Sequence, residues 1–291
     1  MNKTKLTVLD GGVFTTIQDL GRTGFRKYGV PVSGVMDSKS FDLANWLVSN
    51  KKNTPVLELT MIGGMYRFDS SVNIAITGAQ MNPKINGIEV EMNKSISIEA
   101  GDELELGFTK RGCRAYLAVQ GKLNIDKIMN SYSTFTIGKF GGLEGRTLAK
   151  GDELNWENED ELLEVREAPK DQIPYFSSKI SVRIMKGLEW DWVEESVQQQ
   201  FLNSKFEISS KSNRMGIRLE GESLKVKDRQ MVSSPVIPGI IQLPSNGNPI
   251  ILMQDGQTIG GYPRIAKVLN EELWRLGQLK PGDRIGFELI D

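Results

Sequence analysis

The sequence predicts a mainly β fold, organised as two related barrel-like units with a few short packing helices. Short runs alternate apolar and polar residues, as in Ser95-Ile96-Ser97-Ile98-Glu99 and Glu103-Leu104-Glu105-Leu106, and this period of two turns one strand face inward. Between such runs, 30 glycines and 11 prolines supply turn residues. The third observation is a repeated segment: Gly101-Asp102-Glu103-Leu104, Gly151-Asp152-Glu153-Leu154 and Gly282-Asp283-Arg284-Ile285 each read as a turn feeding a strand. Their presence in both halves of the chain suits two related units.

Taken in order, the first informative stretch is Gly11 to Gly24. It is polar and glycine-rich, with Thr16, Gln18, Asp19 and Arg22 among backbone positions that can approach a small ligand, against the plainer reading of turn-making glycines with a local Asp19–Arg22 ion pair. Asp37 is placed to cap a helix running to Asn50, whose Phe41, Ala44, Trp46, Leu47 and Val48 form an apolar stripe. Glu58 and Gln80 stand out as polar residues embedded in strand-like surroundings, for which the plainer reading is an outward-facing strand position. The segment Gly138 to Thr147 clusters glycines beside Lys139 and Arg146, a pattern suited to an anion nest or to a plain hairpin loop. An acidic, then Pro- and Lys-containing stretch from Glu157 to Pro174 marks an inter-domain connection, giving expected domains 1–170 and 171–291.

In the second half, helices are expected from Asp191 to Phe201 and from Ile265 to Leu276, the latter on the spacing of Leu269, Leu273 and Leu276. Between them, the apolar run Pro249 to Met253 switches abruptly to Gln254, Asp255, Gln257 and Thr258, as where a buried strand emerges at a site. Asp255 is the best candidate there for a carboxylate tuned for chemistry, against the plainer reading of a solvated turn.

Composition removes many chemistries. The chain of 291 residues has no histidine, so the usual general base near neutral pH is missing, and with it His-liganded zinc sites, His-ligated haem and Ser-His-Asp hydrolysis within one chain. One cysteine, Cys113, excludes a Cys-only zinc site and an intrachain disulfide; no metal site is expected. A formal charge of -1 offers no field for nucleic acid. The P-loop spacing and G-x-G-x-x-G are both absent, so a nucleotide site in this chain is unsupported. The opening MNKTKLTVLDGG lacks an apolar targeting core, and no run reaches the ~20 apolar residues that span a bilayer. A cytoplasmic chain without a membrane partner is the expectation.

The runs TTIQDLGRTG, YGVPVSGVMD, LELT, GGLEGR, SNRMGIRLEG, SSPVIPGIIQLPSNG and QDGQTIGGYPRIA, within an ordered match that extends from about Leu9 to about Phe287, closely resemble the family of 5-oxoprolinase C subunits. That family includes KipA, is also called allophanate hydrolase subunit 2, and matches half of the biotin-dependent carboxyltransferase domain of urea carboxylase. The resemblance implies two cyclophilin-like β-barrel domains. It also implies a KipI-like partner and a LamB/YcsF-like partner, in a hetero-oligomer that uses ATP to open 5-oxoproline to glutamate. Such a chain would be inactive without its partners, which would supply the base or the nucleotide site.

On the matching segments, the resemblance carries a site: Asp255, Arg214 and Gln257 as catalytic candidates, with Thr16, Gln18, Asp19, Arg22, Ser33, Asp37, Arg146, Gln254, Thr258, Tyr262 and Arg264 binding substrate in one cleft. Guanidinium and amide donors suit such a site, because opening a lactam requires a developing oxyanion to be stabilised. Two alternatives follow from the same family. One is a regulatory protein that antagonises a KipI-like kinase inhibitor. The other is a carboxyltransferase acting on urea or a similar small amide, with biotin arriving on another chain because no Met-Lys-Met attachment motif is present.

Overall fold

The computed structural model describes residues 2–158, 165–225 and 231–290, and it is mainly β with a few short helices. The chain forms two compact units: residues up to Arg22 with Ser33–Phe176, and Thr23–Val32 with the residues from Ser177 onward. Ten residues near the N-terminus thus leave the first unit and belong to the second. Residues 159–164, in the acidic part of the expected connection, lie outside the described residues.

The first unit contains β1 (Asn2–Asp10), β2 (Phe14–Gln18), helix α1 (Ser38–Leu47), β3 (Val56–Thr60), β4 (Ile62–Phe68), β5 (Val72–Gly78), β6 (Lys84–Ile85), β7 (Ile88–Glu89), β8 (Ser95–Ile98), β9 (Glu103–Phe108), β10 (Arg114–Val119), β11 (Lys122–Leu123) and β12 (Glu153–Asn158). These strands form a seven-stranded sheet, β11-β12-β1-β4-β9-β6-β7, and a five-stranded sheet, β2-β3-β10-β5-β8. Alternation decides what is buried: Leu104 and Leu106 of β9 join Leu6, Tyr66, Leu57 and Leu117 in one core fed by both sheets. Helix α1 lays Phe41, Ala44 and Leu47 on Ala75 and Tyr116 of the five-stranded sheet, leaving Trp46 of the expected stripe exposed. Asp37 caps this helix, its Oδ1 accepting from the Lys39 and Ser40 amides and its Oδ2 from the Ser40 hydroxyl at 2.6 Å.

The second unit contains β13 (Lys179–Lys186), α2 (Glu195–Asn203), β14 (Phe206–Ile208), β15 (Gly216–Glu220), β16 (Ser234–Pro235), β17 (Ile240–Gln242), β18 (Ile250–Leu252), β19 (Ile259–Gly260), β20 (Arg264–Val268), α3 (Leu273–Leu276) and β21 (Arg284–Leu289). Seven of these strands close a barrel in the order β13-β20-β17-β18-β15-β14-β21, sealed by a parallel pairing of β13 with β21. Helix α2 contributes Phe201, which stacks on Phe287 at 4.7 Å between ring centres and meets Phe206 and Trp190. The helix expected from Ile265 to Leu276 is only half helix. Residues 264–268 form β20, because Ile265, Ala266 and Val268 are buried in a strand paired on both sides, and only the Leu273–Leu276 end is α-helical. A run of Ile, Ala and Val satisfies either period, and the barrel selects the strand.

The three Gly-Asp turns share one hydrogen-bond scheme. Gly101, Gly151 and Gly282 sit at φ of 94°, 94° and 88°. They donate their N–H groups to the carbonyls of Phe68, Val8 and Ile208 at 2.8, 2.8 and 3.0 Å, and the next residue's carbonyl accepts from those same residues in return. Each aspartate carboxylate then accepts the amide three residues earlier, from Glu99, Ala149 or Lys280. Strands β9, β12 and β21 start at the following residue, so one local device launches a strand in both units. Open space surrounds the missing Cβ of all three glycines, which leaves backbone conformation as the sole reason for glycine. Replacing any one with alanine is therefore expected to cost about 1–2 kcal/mol without new clashes, measurable by urea unfolding.

Candidate functional site

In the first unit, the candidates Thr16, Gln18, Asp19 and Arg22 are all buried around the Ser131–Thr134 segment. Asp19 is fully engaged. Its Oδ1 accepts from the Gly21 amide at 2.8 Å and from the hydroxyls of Ser131 and Ser133 at 2.6 Å each, and its Oδ2 accepts from the Tyr132 amide at 2.9 Å. A buried carboxylate with that many donors is a structural staple. Arg22 donates to the Ser133 carbonyl and lies 4.9 Å from the centre of the Phe140 ring. Gln18 donates to Thr16 Oγ1 at 3.0 Å and the Thr134 carbonyl at 3.2 Å, while its Oε1 is buried without a hydrogen-bond partner. The Ser33 hydroxyl is likewise buried without a partner, on a backbone at φ 54°.

Glu58, expected on an outward face, is instead fully buried and organises the approach to α1. Its Oε2 accepts from the Met36 amide at 2.8 Å and the Tyr116 hydroxyl at 2.9 Å, and the same hydroxyl accepts from the Asp37 amide at 2.8 Å. Arg114 Nε stands 3.7 Å from Glu58 Oε1 and balances the charge. Burial, then the charges of Glu58 and Asp37, hold the Tyr116 phenol well above its ordinary range, so it stays a hydrogen-bond donor. Asp37 thus serves as a helix cap and a backbone anchor.

Arg146 is paired, not poised over an anion nest. It meets Asp152 through two hydrogen bonds of 2.6 and 2.9 Å and Glu144 through one of 3.1 Å, and the Arg146 hydrogen bond holds the Asp152 carboxyl below the usual carboxylate range. The surrounding loop closes as a hairpin, with Phe135 and Phe140 bridged and their rings edge to face at 5.5 Å. Elsewhere in this unit, a cleft of about 560 Å³ is lined by Gln80, Asn93, Lys110, Arg111, Tyr175 and other residues, none of them among the catalytic or substrate-binding candidates.

In the second unit, Arg214 and Asp255 form a buried bidentate pair, with Nε to Oδ2 at 2.8 Å and Nη2 to Oδ1 at 3.2 Å. The Asp255 amide also donates to the Arg214 carbonyl at 2.9 Å, so the pair ties the turn after β18 to the start of β15. Arg264 is held in the same manner by Glu189, at 2.8 and 2.6 Å, and adds a bond to the Pro235 carbonyl. That Arg264 hydrogen bond keeps the Glu189 carboxyl below its ordinary value. The uncharged candidates remain accessible: Gln257 and Tyr262 are exposed, and Gln254 and Thr258 are half-buried. Gln257 Nε2 donates to Oε1 of the buried Gln242 at 3.2 Å, and Gln242 in turn donates to the Tyr262 carbonyl at 3.4 Å. Glu189 and Gln242 were missed in the sequence because each reads as an ordinary strand or turn residue. Their only signal is a polar side chain flanked by apolar ones.

Two measurements separate scaffold from chemistry here. Asp255→Ala, which leaves Arg214 buried without its carboxylate, is expected to cost about 3–5 kcal/mol in urea unfolding, whereas the double replacement Arg214→Met with Asp255→Leu costs clearly less. Because the folded Glu189 pKa is depressed, its stabilising contribution is complete above the unfolded value of about 4.3 and fades as pH falls through the folded one. The stability gap between the native chain and Glu189→Gln should therefore be constant from pH 7 to about 5 and shrink below about pH 4.

Residues 28–289 match the family model described as the carboxyltransferase domain, subdomain A and B. The chain is 37% identical to the 5-oxoprolinase C subunit of Escherichia coli, covering 97% of this chain and 90% of that protein. It is 35% identical to urea amidolyase of Saccharomyces cerevisiae, covering 95% of this chain but 16% of that far longer protein. Its fold is similar to that of the crystallised urea carboxylase of Kluyveromyces lactis, with a TM-score of 0.92 and 33% identity over 99% of this chain and 27% of that one. Together with the barrel and the paired sheets, these matches place the chain in the carboxyltransferase subdomain A and B family, alongside the 5-oxoprolinase C subunits.

Proposed function

We propose that this chain is the C subunit of a 5-oxoprolinase, acting with KipI-like and LamB/YcsF-like partners to convert 5-oxoproline, ATP and water into glutamate, ADP and phosphate. The observation that carries this reading is its 37% identity to the E. coli protein over 90% of that protein's length. The site geometry supports it further. The charged candidates Arg214, Asp255 and Arg264 are consumed by internal pairs, which leaves Gln257, Gln254 and Thr258 as accessible donors on a rigid frame. Donors of this kind suit the carbonyl oxygen of a lactam, which gains negative charge as water adds and the C–N bond breaks. In this reading the Arg214–Asp255 pair positions the turn that carries Gln257, and a partner chain supplies the general base.

Carboxyl transfer is the second reading, favoured by the family model and by the likeness to the K. lactis urea carboxylase. It would demand bicarbonate and a biotinylated carrier chain, which the first does not.

The test is an assay of glutamate and phosphate release from 5-oxoproline and ATP by this chain with its candidate partners. Omitting this chain should abolish release, and Gln257→Ala should lower kcat by about 10²-fold. Full activity without this chain, or activity only when bicarbonate and a biotinylated carrier are present, would reject the proposal.

A further inference from the structure

Arg214 and Arg264 of the second unit each face a carboxylate, but Arg26 does not. Arg26 lies in the short helical turn Arg26–Tyr28, on the ten-residue segment that belongs to the second unit. Its guanidinium donates to the Val236 carbonyl and, at 3.5 Å, to the Gln257 carbonyl. Its Nη1 is buried and has no hydrogen-bond partner, and no carboxylate among the described residues pairs with it. Holding a half-buried cation beside neutral carbonyls alone carries a desolvation cost, and this partial burial pulls the guanidinium below its ordinary pKa. An anion arriving beside it would relieve both penalties.

The neighbourhood indicates what kind of anion. Gln257 links Arg26 to an amide pair: its carbonyl accepts from Arg26, while its side chain donates to the buried Gln242. Gly260 permits the close packing of that pair, since a Cβ there would lie 2.5 Å from Gln242 Nε2. A guanidinium with a buried, unpartnered donor thus touches the backbone of a residue whose exposed side-chain amide offers both a donor and an acceptor. In 5-oxoproline, a single carbon separates the carboxylate from the lactam nitrogen, so one small molecule presents both an anion for a guanidinium and an amide for the Gln257 side chain.

We propose that Arg26 binds the carboxylate of the substrate while Gln257 meets its lactam, making Arg26 the residue that selects a carboxylated lactam over a neutral one. This rests on the 5-oxoprolinase reading for the lactam, though not for the anion.

The experiment measures equilibrium binding of 5-oxoproline, of 2-pyrrolidinone (the same ring without the carboxylate) and of acetate to the assembled complex, with the native chain and with Arg26→Gln. The native complex should prefer 5-oxoproline over 2-pyrrolidinone by about 10- to 100-fold, as one charge-assisted hydrogen-bonded contact supplies. Arg26→Gln should erase that preference while leaving 2-pyrrolidinone binding within about twofold, since the ring contacts are untouched, and Arg26→Lys should restore part of it. A preference that survives Arg26→Gln, or equal weakening of both lactams, would overturn the assignment and leave Arg26 as a backbone staple. Acetate binding that Arg26→Gln abolishes, in a complex that binds neither lactam, would uphold the anion site and reject the 5-oxoproline reading. Absence of binding by all three probes would overturn both.

Discussion

The carboxylate of Asp19 is the constraint on which much of the first unit rests. It gathers two serine hydroxyls and two backbone amides, and the residue's own carbonyl accepts from the Val35 amide at 2.9 Å. Gly34 lies against the same backbone so closely that a Cβ would come within 2.8 Å of the Gly21 nitrogen. The chain leaves the first unit after Arg22 and returns at Ser33, and these contacts fasten the two ends of that excursion. A buried carboxylate is expensive, but here every lone-pair direction in use meets a donor, and hydrogen bonds to charged groups are the stronger kind.

How much of this was legible in the sequence depends on whether a residue's role is local. The Gly-Asp turns and the Asp37 cap involve partners within three residues, and both are readable because the chemistry closes on itself. The burial of Glu58 is not local. Its partners are Met36, Tyr116 and Arg114, and nothing in Leu57-Glu58-Leu59-Thr60 distinguishes a solvated glutamate from one capped across a sheet. The strand at residues 264–268 escaped for a related reason, as its neighbours on both sides come from distant parts of the chain. The candidate site was partly legible: its segments stand out as polar and glycine-rich, but which of their charges are spent on internal pairs is decided by Asp152, Glu189 and the Arg214–Asp255 pairing.

The comparisons show one fold in two settings. The chain spans nine-tenths of a separate bacterial protein but only 16–27% of fungal urea-handling enzymes, at a TM-score of 0.92 for the crystallised urea carboxylase. Backbone architecture therefore does not choose between opening a lactam and transferring a carboxyl group, and fold alone assigns neither. Ion pairs suit the framing role because their geometry is bidentate and rigid, while amides and hydroxyls at the surface can be exchanged with little cost to stability.

The parallel seam between β13 and β21 has a consequence for how the chain is made. Lys179 pairs with Arg284, a separation of 105 residues, and until the later strand exists the barrel has an open edge on both β13 and β14. At ribosomal rates of about 5–20 residues per second, that edge stays unpaired for roughly 5–20 s. Local contacts cannot shorten the wait, because the seam is among the least local in the fold. The first unit, whose strands are complete by Asn158, can settle during that interval, so synthesis itself sets an order of assembly in which the half carrying Arg214 and Asp255 matures last.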